Sequence, residues 1–358
     1  MTTNLDRPLV LGIETSCDDT GCAVVDGAGR VLSSVVSRQL EAHRPFGGVV
    51  PEIASREHLR NWPSVSAQAL EDAGLAMYDV DIVAATRGPG LVGCLLVGLS
   101  VGRAVAYGLD RPFHGVHHLE GHLYSPFLSA RGEPSETLPG HFTGLVVSGG
   151  HTSLLDVHKG RVQSLVETRD DAIGEVFDKV GKRLGLAYPQ GPWVDKLAEH
   201  GRVSKTLFKV PRVEDDLFFS YSGLKSSALR AIEGLERQGV VRKGEAVDPE
   251  NVPEPVLDLL ASFRSAAIRQ VIDRLRRLHD RRPIDTLAVS GGVAANQLLR
   301  RELIRWAEEA RVNLRLVPLK FSGDNAAMIA FAALARQRAG LPHDPRHLVA
   351  ESRIPFAS

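Results

Sequence analysis

One strand–turn–strand–turn–strand pattern occurs twice in this chain, and any fold must accommodate both copies. The first copy runs "LVLGIET", "SCDDTG", "CAVVD", "GAG", "RVLSSVVS" from residue 9. The second runs "TGLVVSGG", "HTSLLDVH", "KG", "RVQSLVET" from residue 143. Each joins β-rich apolar runs through Gly, Asp and Ser turn chemistry. Copies some 130 residues apart argue for two related lobes rather than a short-period solenoid. A third strand-then-glycine element, "IDTLAVSGGVAANQLLRREL" (284–303), leads into an amphipathic helix. Helical patterns over 53–74, 91–108, 173–186 and 256–280 alternate with the strands, which makes this an α/β chain. Residues 131–140 and 244–255 read as loops, the first between lobes. A length of 358 residues suits two lobes better than one core.

Met1–Pro8 is polar and lacks the apolar core of a secretion signal. The oiliest run, "LVGCLLVGLSVG" (91–102), is too short and glycine-broken to span a bilayer. Cys17, Cys22 and Cys94 show no paired-ligand spacing and read as reduced thiols of a cytoplasmic protein. The net charge is zero but unevenly spread. Residues 1–179 carry 14 Lys/Arg against 22 Asp/Glu, and the remainder carry 29 against 21. Arg264, Arg269, Arg274, Arg276, Arg277, Arg281 and Arg282 fall in one helix and its exit. They form either a solvated face or a nucleic-acid docking face.

In "VSGGHT" (147–152) and "VSGGVAAN" (289–296), glycines follow an apolar strand directly, so backbone amides can converge on an anion. A following helix adds its positive N-terminus. With "ETSCDDTG" (14–21), these turns point to a nucleotide in an interlobe cleft. Neither the dinucleotide glycine fingerprint nor a P-loop is present. In "GVHHLEGHLYS" (115–125), His118 and His122 stand one helical turn apart, a spacing that lets two imidazoles share an ion. A zinc protease needs its Glu directly after the first histidine; here Leu119 follows, and Glu120 points about 200° around the helix. Asp324 in "FSGDNAAMIA" is the candidate third ligand, and two nitrogens with one carboxylate suit iron or zinc. Asp170 and Asp171 can serve as stabilising charges at a helix start. Asp178 and Asp195 flank "YPQGP" and can accept from ribose hydroxyls.

With these pieces in place, the chain closely resembles the TsaD family of tRNA adenosine threonylcarbamoyltransferases, formerly called O-sialoglycoprotein endopeptidases. The resemblance spans about residues 9–338 and rests on "LGIETSCDDT", "GGVVPEIASREHL", "GPGLVG", "HHLEGH", "VSGGHT", "FDKVGKRLGL", "FSYSGLKS", "SGGVAANQLLR" and "DNAAMIA", in that order. It implies the actin-like ATPase superfamily (ASKHA) fold, two ribonuclease-H-like lobes around a nucleotide-binding cleft. The lobes are expected at 1–125 plus 325–358 and at 126–324.

The implied reaction moves a threonylcarbamoyl group from L-threonylcarbamoyl-adenylate to the exocyclic amine of adenosine 37 in tRNAs reading codons that begin with A, releasing AMP. By motif, His118, His122 and Asp324 hold one divalent ion, iron(II) favoured over zinc. Val146, Val147, Ser148, Gly149, Gly150 and His151 line the adenylate site. Asp178, Gly191, Asp195 and Asn296 contact the nucleotide or the threonylcarbamoyl group, and Asp18 is the candidate general base. Implied partners are tRNA, an inactive paralogue (TsaB) and a small ATPase (TsaE), with no membrane and a cytoplasmic location. Gln190, Gly323 and Arg87 depart from the commonest family pattern. The rival readings are an actin-like-fold small-molecule kinase, an ATP-dependent binding or scaffold protein, and, weakest, a metalloprotease.

Overall fold

The computed structural model describes residues 5–211, 217–345 and 348–356; of the polar start at Met1–Pro8, residues 1–4 lie outside them. The first meander forms β1 (Val10–Glu14), β2 (Asp19–Val25) and β3 (Arg30–Arg38). After it come α1 (Leu40–His43), α2 (Pro51–Ala73), β4 (Ile82–Gly88), α3 (Val92–Gly108), β5 (Phe113–His117), α4 (His118–Tyr124) and β6 (Ser129–Ala130). The second meander forms β7 (His141–Val147), β8 (Thr152–His158) and β9 (Arg161–Glu167). Helices α5 (Ile173–Arg183), α6 (Gln190–Ala198), α7 (Ser222–Arg237) and α8 (Glu254–Arg281) follow. The chain ends through β10 (Thr286–Ser290), α9 (Gln297–Ala310), β11 (Asn313–Leu316) and α10 (Ala326–Arg338).

The sheet orders are β5-β4-β1-β2-β3-β6 and β11-β10-β7-β8-β9. Strand for strand, the first five of one match the second, so each repeated meander is extended on the same side by two later strands. β1 pairs antiparallel with β2 and parallel with β4, and β10 lies parallel to both β7 and β11. The parallel strands are reached through helical crossovers, as such pairing requires. Two compact units result. One comprises Met1–His141, Val157–Gln163 and Val317–Ser358, the other Phe142–Asp156 and Ser164–Leu316.

In the first unit, β1 is fully buried and packs against α10, an alanine-rich helix buried along most of its length. Alanine favours the helix and keeps its surface flat. Asn325 caps it, its Oδ1 accepting from Met328 N at 3.0 Å. The approach is close: a Cβ at Gly12 would lie 2.1 Å from the Ala326 carbonyl oxygen. The small residue at 12 thus lets α10 rest on the sheet backbone.

The second unit corrects the basic-helix expectation. α8 is buried over much of its length and includes Arg264 and Arg274 among its buried residues. Arg274 donates to the Phe218 and Pro211 carbonyls at 2.9 Å each, and Arg269 donates to Phe208 O at 3.3 Å. These guanidiniums serve chain carbonyls that the helix would otherwise leave buried without donors. Only Arg276, Arg281 and Arg282 of the seven are exposed, and Arg276 and Arg282 pair with Glu309 and Asp156. A docking face built on all seven therefore does not exist. The departure at Arg87 also finds a reason, an ion pair with Glu351. The three cysteines are free, and no helix among the described residues is long and apolar enough to cross a membrane.

Two predictions follow from this packing. Gly12→Ala should destabilise the protein by about 3 kcal/mol or more, because its methyl meets backbone rather than a movable side chain; a denaturant midpoint shift at unchanged m-value checks it. His114 on β5 is fully buried, its Nε2 3.1 Å from His343 Nδ1. Burial, then Arg336 and His343, pushes its pKa down to about 4. The stability this neutral ring contributes is present above pH 6.5 and drains away as pH falls towards 4, because the unfolded chain takes up the proton first. His114→Leu should therefore gain on the parent over that window by on the order of 3 kcal/mol, measured by unfolding at pH 7 and pH 4.5.

Candidate functional site

β5 runs directly into α4, which places three histidines at one strand-to-helix joint. His117 is the N-cap: its Nδ1 accepts from Leu119 N at 3.2 Å, its Nε2 donates to Ile354 O at 2.9 Å, and its ring stacks on Phe356. With both nitrogens engaged and its pKa pushed by burial down to about 4, it is a neutral cap and not a ligand. His118 and His122 sit one turn further in, both buried, ring centroids 4.8 Å apart. Glu120 is buried apart from them, with Arg336 and Asp344 as its charged neighbours.

Asp324 joins the pair from the turn before α10. Asn325 Nδ2 shapes that turn by donating to Phe321 O and Gly323 O. Asp324 Oδ1 lies 3.6 Å from His118 Nε2 and 3.2 Å from His122 Nε2, and one ligand atom from each residue falls within 4.8 Å of the others. The fit to a metal ion rests on His122. Its side chain is fully buried, yet neither ring nitrogen has a hydrogen-bond partner among the described residues, Asp324 being close but out of hydrogen-bond geometry. A buried imidazole left so is costly, and a cation between the three groups would engage its Nε2.

Glu14, at the end of β1, was not singled out from the sequence. One of its oxygens accepts from Ser16 N, the other from Thr86 Oγ1 at 2.6 Å, and the second also faces His118 Nδ1 at 3.3 Å. With no ion between the three groups, burial opposes the His118 charge, but Asp324 and Glu14 outweigh it and push the pKa up to about 9, so an ion binding there displaces that proton. Burial likewise works against the Glu14 carboxylate, and His118 holds its pKa below the usual range. Asp18 accepts from Gln39 N through its carbonyl. Next to it, Asp19 is pushed up to about 7 by burial and then by Asp18 and Asp324. A carboxyl able to exchange a proton at neutral pH thus sits one residue from the base candidate, a feature no spacing rule signals.

The other predicted residues lie in the second unit. β7 and β10 are parallel neighbours, with Ser290 opposite Val146, so their two Ser-Gly-Gly turns emerge side by side. Gly291 has φ +93°, and a Cβ there would lie 2.3 Å from Val147 O, which only glycine permits. Ser148 N donates to His151 O at 2.8 Å and Ser148 Oγ accepts from His151 N at 3.1 Å, closing the first turn. Gly149 and Gly150 are exposed, while Val146 and Val147 are interior strand residues. α5 begins beside this turn, Gly174 N donating to Ser148 O at 3.2 Å.

A cavity of about 550 Å³ opens there, and Gly149, Asp178, Gly191, Asp195 and Asn296 all line it. Val146, Val147, Ser148, Gly150 and His151 are not among its lining residues. Asp178 Oδ1 accepts from Gly191 N at 2.7 Å, and burial raises its pKa. Gln190 opens α6 as a buried residue and leaves that hydrogen bond in place. Asp195 Oδ1 accepts from Arg264 Nη1 at 2.8 Å and Asn296 Nδ2 at 2.6 Å, while Asn296 Oδ1 caps α9 on Leu299 N at 2.9 Å. The Asn296 amide is thus used at both ends to orient Asp195 and start a helix. Asp170 and Asp171 are structural: Asp170 accepts from Ser220 Oγ, Tyr221 N and Ser222 N and so caps α7, and Asp171 pairs with Lys179 and Lys225.

Among solved structures, the chain is similar to HypF of T. kodakarensis, with TM-score 0.60 at 16% identity, over 95% of this chain and 49% of that one. Full-length HypF in a phosphate- and nucleotide-bound form matches with TM-score 0.56 at 13% identity, over 93% of this chain and 47% of that one. At such identities the likeness shows the fold alone, the actin-like fold expected above. Sequence relatives are much closer. The chain is 43% identical to the tRNA N6-adenosine threonylcarbamoyltransferase of Symbiobacterium thermophilum over 95% of both chains. It is 45% identical to that of Nostoc sp. over 96% of both, and 43% identical to that of Thermus thermophilus over 97% of this chain and 98% of that one. The family profile described as TsaD, tRNA N6-adenosine threonylcarbamoyltransferase, matches residues 30–331, and with this coverage the chain belongs to that family.

Proposed function

We propose that this protein transfers the threonylcarbamoyl group of L-threonylcarbamoyl-adenylate to the exocyclic amine of adenosine 37 in tRNAs reading codons that begin with A. A carbon–nitrogen bond forms at the carbamoyl carbon, the bond from that carbon to the phosphate oxygen breaks, and AMP leaves. The amine gives up one proton, for which Asp18 is the acceptor in our reading, with Asp19 beside it. The observation that carries the proposal is the His118, His122, Asp324 group in a chain 43–45% identical to transferases of this name. A kinase or scaffold reading gives these three side chains no task.

The residues divide the work by chemistry. His118, His122 and Asp324 hold one divalent ion, iron(II) before zinc. When bound, such an ion would supply positive charge to offset negative charge developing on the substrate. Asp178 and Asp195 accept from the ribose hydroxyls of the adenylate, and Gly191 and Asn296 keep those carboxylates oriented. Within the Ser148–His151 turn, the exposed Gly149 and Gly150 offer their amides to the phosphate, assisted by the N-terminus of α5. Val146 and Val147 support that turn from within the sheet. tRNA is the macromolecular substrate, TsaB and TsaE are the expected companions, and the cytoplasm is the expected location.

The decisive assay mixes the protein and its companions with threonylcarbamoyl-adenylate and unmodified tRNA. Modified adenosine and AMP should appear in equal amounts; no transfer by the complete assembly would overturn the proposal. His122→Ala should lower metal content from about one ion per chain to near zero and cut transfer by roughly 100-fold or more. Elemental analysis showing normal metal in that variant would remove His122 from the ligand set. Asp195→Ala should raise the KM for the adenylate about 10-fold or more while leaving metal content unchanged.

A further inference from the structure

We propose that Glu14 is a positioning residue for the metal group: its carboxylate fixes the ring of His118 so that Nε2 is turned towards Asp324 and His122. The inference rests on reading those three residues as ligands and goes on to ask what holds them ready. His118 presents Nε2 to Asp324 at 3.6 Å, so its other nitrogen, Nδ1, must be held from behind. Two oxygens face Nδ1, Glu14 Oε2 at 3.3 Å and Ser16 Oγ at 3.2 Å. Both depend on Glu14, because Ser16 is itself tied by its backbone N–H to Glu14 Oε1.

The chemistry selects an ionised carboxylate. Glu14 is 1% exposed and faces donors on both oxygens: Ser16 N on Oε1, and Thr86 Oγ1 with His118 Nδ1 on Oε2. An acceptor-only group satisfies all three, whereas an amide in its place turns an NH2 towards at least one of them. Accepting from Nδ1–H sets the tautomer in which Nε2 keeps its lone pair for a cation, and it raises the basicity of that lone pair. Thr86 on β4 and Ser16 after β1 anchor the carboxylate from two neighbouring parallel strands, so its position is inherited from the sheet.

A merely structural Glu14 would affect folding without touching ion affinity or the histidine tautomer, and those two readouts separate the cases. The metal-free full-length protein is titrated with Co²⁺, following its visible absorption. Glu14→Gln should weaken Co²⁺ binding by about 10- to 100-fold and alter the absorption band, with circular dichroism unchanged. Glu14→Asp, which keeps the charge on a shorter arm, should recover part of the loss. Thr86→Val, which leaves Glu14 in place but removes one anchor, should weaken binding by a smaller factor and serves if Glu14→Gln does not fold. In the Zn²⁺-loaded protein, ¹⁵N NMR should find His118 protonated on Nδ1. If the parent binds Co²⁺, His122→Ala does not, and Glu14→Gln and Thr86→Val both bind as the parent does, the positioning role is overturned while the ligand assignment stands. If the parent itself binds no Co²⁺, the ligand reading fails and this inference falls with it.

Discussion

The contact between Gly12 and the first turn of α10 is the constraint on which the candidate metal group His118, His122 and Asp324 depends. Asp324 lies two residues before Ala326, whose carbonyl rests where a Cβ of residue 12 would be. The depth at which the helix meets β1 therefore sets how far Asp324 reaches towards the histidines. Helix and strand are joined by more than 300 residues of intervening chain, so no local preference could bring this carboxylate to its place. Close packing of small residues does so, since a flat alanine face leaves few alternative depths.

The strand-to-helix joint at 117–118 solves a related difficulty. A helix N-terminus has free amides and a partial positive charge, an unfavourable place for a cation unless the donors are neutral and well held. His117 takes up one of those amides and is itself fixed by Ile354 and Phe356. His118 and His122 then face inward on the remaining turn, and the acidic groups Glu14 and Asp324 supply the compensating charge. The nitrogens that the surrounding chain engages thus set His117, a cap, apart from His118 and His122, the two candidate ligands.

In the second unit the polar groups are ordered by a comparable hierarchy. Asp195 borders the cavity, but the side chains that orient it, Arg264 and Asn296, come from a buried helix and from a helix cap. Arg264 is 4% exposed, and its ion pairs to Asp195 and Glu199 stiffen α6, which forms one wall of the cavity. A buried guanidinium can be kept only where several acceptors meet it, and this one has two carboxylates and the carbonyls of Asp195 and Ala198.

The sequence by itself determined the α/β class, the repeated meander, the glycine turns and the spacing of His118 and His122. All of these are local patterns, written in strand alternation, turn chemistry and helical period. Asp324 in "FSGDNAAMIA" was readable as a candidate third ligand, and the resemblance pointed to the same residue. Only the tertiary structure decided that His117 is a cap, that Glu14 stands behind His118, and that Arg264 and Arg274 are internal struts rather than part of a basic docking face. An arginine reads the same in sequence whether it meets water or a buried carbonyl. Burial and partner geometry come from packing between distant segments, and that is where the roles of these charges were settled.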